Sequence, residues 1–312
     1  MEGLFCNMTF DVTILGCGAA TPTLRHNPSS QVVNLHDKLF LVDCGEGTQM
    51  ALRRQKIKIQ RIQHIFISHL HGDHYLGLIG LLSSLHLLGN KGELNLYGPP
   101  DLKPLLDLSF KVSETYLDYT INFFPTSDKE KQLLYEDKTL EVYSIPLKHR
   151  IECCGFQFRE KTKVPKVKKA IINKYDLQPS QIIDLKHGKI IHLENGDTID
   201  PANACIPPDR SRTYSYCSDT MYWETLIPHI ADSDLLYHES TFLDSELERA
   251  KHTFHSTARQ AAKIARMANV KKLVLGHFSS RYHEENQFLV EAKEEFENVE
   301  LADEGKTFSV EY

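Results

Sequence analysis

The chain has 312 residues, 41% hydrophobic and 25% charged, with a formal net charge of −6. That is long enough for one large domain or two small ones around a sizeable core, and no stretch approaches the roughly 20 apolar residues that span a bilayer. The acidic balance argues against a generic nucleic-acid coat but leaves room for a local basic patch on an acidic body.

The opening residues, "MEGLFCNMTFDVTIL", carry no basic stretch and no small-residue cleavage site, so export is not expected. The 7 cysteines are scattered without a C-x-x-C pair, a pattern that suits free thiols in a reducing cytoplasm better than a disulfide framework. "MTFDVTILGCG" reads as a strand and a glycine turn, and "QVVNLHDKLFLVDCGEG" as a hairpin whose second strand ends at Asp43 and Gly45. "IQHIFISH" is a buried strand stopping at His69 and bounded by a turn at Gly72. From Tyr75 to Leu88 the apolar residues are nearly continuous until Gly89-Asn90, which predicts a buried helix with a C-terminal stop. "GELNLYGPP" is a further strand, and its prolines open the next helical region.

In the second half, "LEVYSIPLKH", "GFQFRE", "RTYSYCSD", "DLLYHEST" and "KKLVLGHF" read as strands. Between the last two, Ala258, Ala261, Ala262, Ala265 and Ala268 share one helical face behind Ser256 as the expected N-cap. The alternation predicts an α/β fold formed by a single domain over residues 1–312. From about Lys161 to Asp209 the chain turns lysine-rich and proline-punctuated, which reads as an insertion projecting from that domain.

Strand ends are where an α/β scaffold exposes rigidly held side chains. His69, His71, Asp73, His74, His149, Asp219 and His277 all fall at or just past such ends. Imidazole with carboxylate suits zinc, manganese or iron, and this many donors exceeds the needs of one tetrahedral ion. In H-x-H-x-D-H, side chains two apart can reach one ion while the adjacent Asp73-His74 pair turns to a second. Asp219 offers two oxygens that could bridge ions about 3.5–4 Å apart.

The H-x-H-x-D-H turn, with the later His, Asp and His, resembles the metallo-β-lactamase superfamily. That resemblance implies a four-layer αβ/βα sandwich of two mixed sheets. It implies two metal ions per subunit, with zinc expected and manganese tolerated. His69, His71 and His149 would hold one ion and Asp73, His74 and His277 the other, with Asp219 between them and Asp43 supporting a ligand histidine. Three further stretches are similar to the ribonuclease Z family: "LLYHESTF" to its H-E-A-T segment, "FHSTARQAA" to its H-S-T element, and "GCGAATPTLRHNPSSQ" to its glycine turn and basic loop. "LGHFSSRY" carries the ligand His277 in the family's manner.

The family resemblance implies a metal-dependent endoribonuclease that removes the 3′ trailer from tRNA precursors, leaving a tRNA 3′-hydroxyl and a trailer with a 5′-phosphate. It assigns Asp73 as proton acceptor, His255 as the group that contacts the scissile phosphate and protonates the departing oxygen, and Glu239 as the group that orients His255. It also implies a cytoplasmic homodimer in which the inserted arm grips the tRNA of the partner subunit. Lys163, Lys166, Lys168 and Lys169, with Arg25 in the N-terminal loop, are the expected RNA-binding residues. Two departures stand out. The arm lacks the family's glycine-proline motif, and the loop "PTLRHN" carries a single arginine. The competing readings are a small-molecule metallo-hydrolase of the same superfamily, a thioesterase or cyclic phosphodiesterase, and a catalytically silent nucleic-acid-binding scaffold. A dinucleotide site at Gly16 and Gly18 is disfavoured because Thr21 replaces the third glycine of the fingerprint.

Overall fold

Alternating apolar residues place the strand Phe10–Gly16 between two antiparallel neighbours, Thr307–Ser309 and Ser30–Leu35. The structure is a computed structural model and describes residues 9–312. The segment 1–8, on which the export expectation partly rests, lies outside them. The hairpin expected at 31–47 forms between Ser30–Leu35 and Lys38–Val42. Parallel strands Ile62–Phe66, Glu93–Gly98 and Thr120–Pro125 complete a seven-stranded sheet.

The second sheet also has seven strands, in the order Val299–Leu301, Leu273–Gly276, Leu235–Glu239, Thr213–Cys217, Cys154–Glu160, Leu140–Pro146 and Leu133–Glu136. Its first four strands run parallel to one another and the rest antiparallel. Each sheet is therefore mixed, and the two meet face to face through aromatic side chains. Phe66 sits 5.3 Å from Phe156, and Phe40 sits 5.5 Å edge-on from Phe158. Such ring pairs contribute about 0.5–1.5 kcal/mol beyond their area burial.

Helices Thr48–Arg54, Gly72–Leu87 and Leu102–Val112 cover the outer face of the first sheet over a second apolar cluster. Helices Ala258–Met267 and Asn286–Lys293 belong to the second sheet. These are the four layers expected from the resemblance. The alanine face behaves as its spacing predicts: Ala258, Ala261, Ala262, Ala265 and Ala268 are all buried. The N-cap, however, is Thr257 and not Ser256. Thr257 forms a reciprocal capping box with Gln260, whereas the Ser256 hydroxyl donates to the Thr220 carbonyl at 2.7 Å. The helix predicted from Tyr75 starts at Gly72, and it is buried on one face only, with Leu76 and Leu87 exposed.

Gly16 owes its identity to crowding: a Cβ there would lie 1.9 Å from the Pro28 carbonyl oxygen. Residues 166–206 form short strands and helices around a small apolar cluster of their own, including Val167, Leu177, Leu185 and Ile199. Among the described residues no helix is long and apolar enough to cross a membrane, and the six described cysteines are free and buried.

Away from the strand ends that carry the histidines, Glu160 ties the sheets together. It accepts from Arg212 Nη2 at 2.8 Å and lies 2.7 Å from His36 Nε2. Burial opposes its charge, but the Arg212 bonds outweigh that and hold the carboxyl at about 2 against an ordinary 4.5. A depressed carboxyl stabilises the fold above its unfolded pKa, so this contribution is complete above pH 4.5 and is lost as pH falls through about 2. Replacing Glu160 by alanine should cost roughly 3–5 kcal/mol, because the charge of a buried partner remains. Denaturant unfolding at pH 7 and pH 3 checks both statements: the mutational loss should shrink at the lower pH.

Candidate active site

Helix Gly72–Leu87 begins inside the H-x-H-x-D-H run, so Asp73 and His74 lie in its first turn and His71 is its extended N-cap residue. The turn after strand Lys38–Val42 packs directly on this helix. Cys44 N–H donates to the His74 carbonyl at 2.7 Å and Gly77 N–H to the Cys44 carbonyl at 2.9 Å. A Cβ on Gly77 would meet the Gly45 carbonyl oxygen at 2.2 Å, so the approach requires glycine. Asp43 is thereby set beside His74. From the second sheet, His149, Asp219 and His277 follow the strands ending at Pro146, Cys217 and Gly276. Ala20, Asp43, Asp219 and His277 all have positive φ, at 62°, 55°, 38° and 61°. Non-glycine residues rarely adopt that region, and strain of this kind gathers where a site dictates the backbone.

The donor atoms fall into two groups. His69 Nε2 and His149 Nε2 each lie 3.1 Å from His71 Nδ1, and Asp219 Oδ2 lies 3.4 Å and 3.6 Å from the two Nε2 atoms. In the second group, His74 Nε2 and His277 Nε2 are 3.3 Å apart, and Asp73 Oδ2 lies 3.6 Å and 3.4 Å from them. Asp219 Oδ1 completes this group at 3.2 Å from His74 and 3.1 Å from His277. Donors about 2.1 Å from a tetrahedral ion must lie about 3.4 Å from each other. The separations above lie near that value in both groups, and Asp219 turns one oxygen to each.

Bonds on the far side of the rings aim the inward nitrogens. His149 Nδ1 donates to the Phe254 carbonyl at 3.0 Å, His277 Nδ1 lies 2.9 Å from the Thr241 hydroxyl, and His69 Nδ1 lies 3.0 Å from the Ser68 hydroxyl. His74 Nδ1 is 2.8 Å from Asp43 Oδ2. Asp43 is fully buried and also accepts from Ser68 N–H at 2.8 Å and from the Tyr216 hydroxyl, from the other sheet, at 2.6 Å. On the opposite side, Ala20 N–H donates to Asp73 Oδ2 at 2.7 Å.

The electrostatics suit cations. Burial lowers His69 and His71, and lowers His149 to about 4, keeping these rings neutral as ligation requires. Burial opposes charge on His74, yet Asp219, Asp73 and Asp43 outweigh it and hold its pKa well above the ordinary value. Three carboxylates around one buried ring therefore call for positive charge, which divalent ions supply as well as a proton does. Replacing Asp43 by asparagine should weaken metal affinity roughly 10–100-fold without removing a ligand; competition with a chromophoric chelator measures it.

His255 lies beside these donors, its ring centroid 5.2 Å from that of His149 and 5.4 Å from that of His277. Its Nδ1 is 2.7 Å from Glu239 Oε1. Burial opposes its protonation, but the Glu239 carboxylate prevails and raises its pKa to about 9. Glu239 is fully buried and further accepts from Thr220 N–H, Thr241 N–H and the Thr241 hydroxyl. His71, Asp73, His149, Asp219, His255 and His277 line one cavity of about 680 Å³, together with Arg150, Arg249 and Arg281.

The chain is 46% identical over 305 residues to Ribonuclease Z of Parabacteroides distasonis, a match spanning 96% of this chain and 99% of that protein. The chain belongs to the ribonuclease Z family. Ribonuclease Z of Bacteroides fragilis is 44% identical over 301 residues, 96% of this chain and 99% of its own. The crystal structure of human tRNase Z, short form, aligns with a TM-score of 0.70 at 27% identity, covering 97% of this chain and all of that one. YhfI from Bacillus subtilis, described as a metallo-beta-lactamase fold protein, aligns at 0.69 over 96% of this chain and 99% of its own, and at 20% identity it speaks for the fold alone. A family model described as Anti-Pycsar protein Apyc1 matches residues 10–162. As a ribonuclease Z of this fold, the protein is a metal-dependent hydrolase, and its His/Asp groups fit divalent ions.

Within this ribonuclease Z the structure draws His69, His71, Asp73, His74, His149, Asp219 and His277 together, with Asp43, Glu239 and His255 beside them. It does not bring Arg25 to the metal-facing cavity. Arg25 pairs with Glu285 and donates to the His283 carbonyl at 2.6 Å. Lys163 is likewise turned to the Tyr312 hydroxyl at 3.0 Å and to Glu160 at 3.8 Å, and Lys168 donates to the Asn203 carbonyl at 2.7 Å. Lys166 and Lys169 are exposed. Sequence reasoning missed the Ala20 amide, Tyr216, Arg150 and Arg249. Arg150 had a usable signal, its position next to a ligand histidine.

Proposed function

We infer that this protein is an endoribonuclease that removes the 3′ trailer from tRNA precursors, leaving a tRNA 3′-hydroxyl and a trailer with a 5′-phosphate. The observation that carries this reading is the full-length match to ribonuclease Z relatives by a chain whose two donor groups and His255 open on a single cavity. In our reading the resident ions are two zincs per subunit, with manganese tolerated by the same nitrogen and oxygen donors. His69, His71 and His149 would hold one, Asp73, His74 and His277 the other, and Asp219 both. When bound, such ions act as Lewis acids that bring the acidity of water near neutrality and offset charge on phosphate oxygens.

The protein's own groups do the rest. Asp73, held by the Ala20 amide, accepts a proton from the attacking water. His255 donates a proton to the departing 3′-oxygen, and Glu239 keeps its Nδ1 side occupied so that Nε2 serves the substrate. Residues about 161–209 act as an arm for the tRNA, with Lys166 and Lys169 as its free cations. A homodimer, in which each arm serves the neighbouring site, would cover Met50, Leu76, Leu87 and Leu88, which stand exposed on adjacent helices. Buried free cysteines agree with a cytoplasmic protein.

The test is a 3′-extended tRNA transcript incubated with the purified protein before and after chelation. Cleavage at or one nucleotide beyond the discriminator base is expected, lost on chelation and restored by zinc or manganese. A protein that leaves the transcript whole but hydrolyses small diesters, and does so equally well without residues 161–174, would refute the ribonuclease reading.

A further inference from the structure

Most of the arginines outside this cavity are bonded where they stand. Arg212 meets Glu160 at 2.8 Å, Arg210 meets Asp234 at 2.6 Å, Arg259 meets Glu294 at 2.7 Å and Arg266 meets Glu295 at 3.0 Å. Three arginines line the metal-facing cavity, and among the described residues none has a carboxylate closer than 3.7 Å; two of them, Arg150 and Arg249, come from the segments that carry His149 and His255. Among the described residues Arg150 has no carboxylate within 4.0 Å, and its polar neighbour is His71 Nε2 at 3.2 Å. Because His71 turns Nδ1 toward the donor group, a neutral ligating ring carries its proton on Nε2. Guanidinium and imidazole N–H then face each other as two donors, and Arg150 is left without an acceptor from the protein. Among the described residues Arg249 meets only Glu246, at 3.7 Å, with both side chains more than 40% exposed. A pair so screened contributes little.

These two charges are held in a common place. Arg150 follows His149, and Arg249 lies in helix Leu247–Thr253, directly before Phe254 and His255. The Phe254 carbonyl accepts from His149 Nδ1 at 3.0 Å, so the two segments are locked together. Both arginines thus stand on the His149–His255 side of the cavity. A permanently charged planar fork with at most a long, solvent-screened ion pair is suited to a phosphate.

We propose that Arg150 and Arg249 bind the RNA backbone phosphates on the tRNA side of the scissile linkage, the side of the oxygen that His255 protonates. The assignment rests on the ribonuclease reading above. It makes the acidic body of the protein locally cationic where the strand enters, and it binds without reading bases.

The experiment compares wild type, Arg150→Ala, Arg249→Ala and both lysine replacements on the extended tRNA and on bis(p-nitrophenyl) phosphate, which has no neighbouring phosphates. Each alanine variant should lose about tenfold in kcat/KM on the tRNA, mostly through KM. Its salt dependence should flatten by about 0.7 in the log–log slope, and lysine should restore most of that slope. The loss on the small diester should be several-fold smaller, with metal content as in wild type. A transcript with an uncharged methylphosphonate 5′ to the cleaved linkage should hinder wild type but cost the alanine variants little more. Unchanged slopes, equal losses on both substrates, or a methylphosphonate penalty as large in the variants as in wild type would each overturn the proposal. Loss of metal from Arg150→Ala would show that Arg150 acts through His71, and would overturn its assignment. If wild type itself spares the tRNA, the ribonuclease reading fails and this proposal with it; wild-type cleavage with unaltered slopes defeats the arginine assignment alone.

Discussion

Asparagine in place of Asp219 should remove both of the proposed ions together and lower turnover by about 10³-fold or more. Asp219 is buried, with Oδ2 facing His69 and His149 and Oδ1 facing His74 and His277, all within 3.1–3.6 Å. Asparagine preserves the shape and can keep the bond from the Ser218 hydroxyl, which donates to Oδ1 at 3.1 Å. Its amide nitrogen, though, is a donor with no lone pair to offer, and the negative charge is gone. One donor group loses a ligand and the other loses charge. Metal analysis after dialysis should find two equivalents on wild type and less than one on the variant. Zinc should raise the melting temperature of wild type and leave the variant nearly unmoved, since only a bound ion shifts the folding equilibrium. A variant that keeps both equivalents and normal turnover sinks the shared-carboxylate model. The contrast with Asp43→Asn is informative, because that change spares every donor atom and should weaken affinity alone.

The parts of this molecule that were legible beforehand are those written in local pattern. Strands appeared as apolar runs closed by glycine or proline, and the ligands sit where those runs stop: His149 after Pro146, Asp219 after Cys217, His277 after Gly276. H-x-H-x-D-H needed no partner to be noticed, whereas the grouping of its donors with residues far downstream came from family resemblance. What escaped has physical causes. The sequence pattern starts the Gly72 helix only at Tyr75 because its first turn carries Asp73 and His74, which interrupt the hydrophobic signal. Ser256 and Thr257 are equally good caps, and the choice was made by a tertiary bond from Ser256 to Thr220. Arg25 and Lys163 looked like free loop cations because their partners, Glu285 and Tyr312, are distant in the chain. The Ala20 amide that holds Asp73 leaves no trace at all, since every residue but proline has one.

Alanine at position 255 should cost about 10²–10⁴-fold in turnover on the extended tRNA, the range of a lost general acid, with both metal equivalents retained. Metal content is the decisive readout because the geometry admits a rival role. One donor atom each of Asp219, His255 and His277 fall within 4.8 Å of one another, so His255 stands near enough to be a ligand. Against that, Asp73, His74, His277 and Asp219 Oδ1 already offer donors on this side of the site, at 3.1–3.6 Å between each histidine and the carboxylates. A substrate with a good leaving group separates the roles further. Nitrophenolate departs without a proton, so a pure proton donor should matter far less on the chromogenic diester than on tRNA. A histidine that holds metal should matter equally on both. Retained metal with a large tRNA-selective loss supports proton donation; loss of one equivalent with equal damage on both substrates assigns His255 to the metal instead. Glu239→Gln could not make this distinction, because Glu239 also anchors the Thr220 and Thr241 amides and, through the Thr241 hydroxyl, the ring of His277.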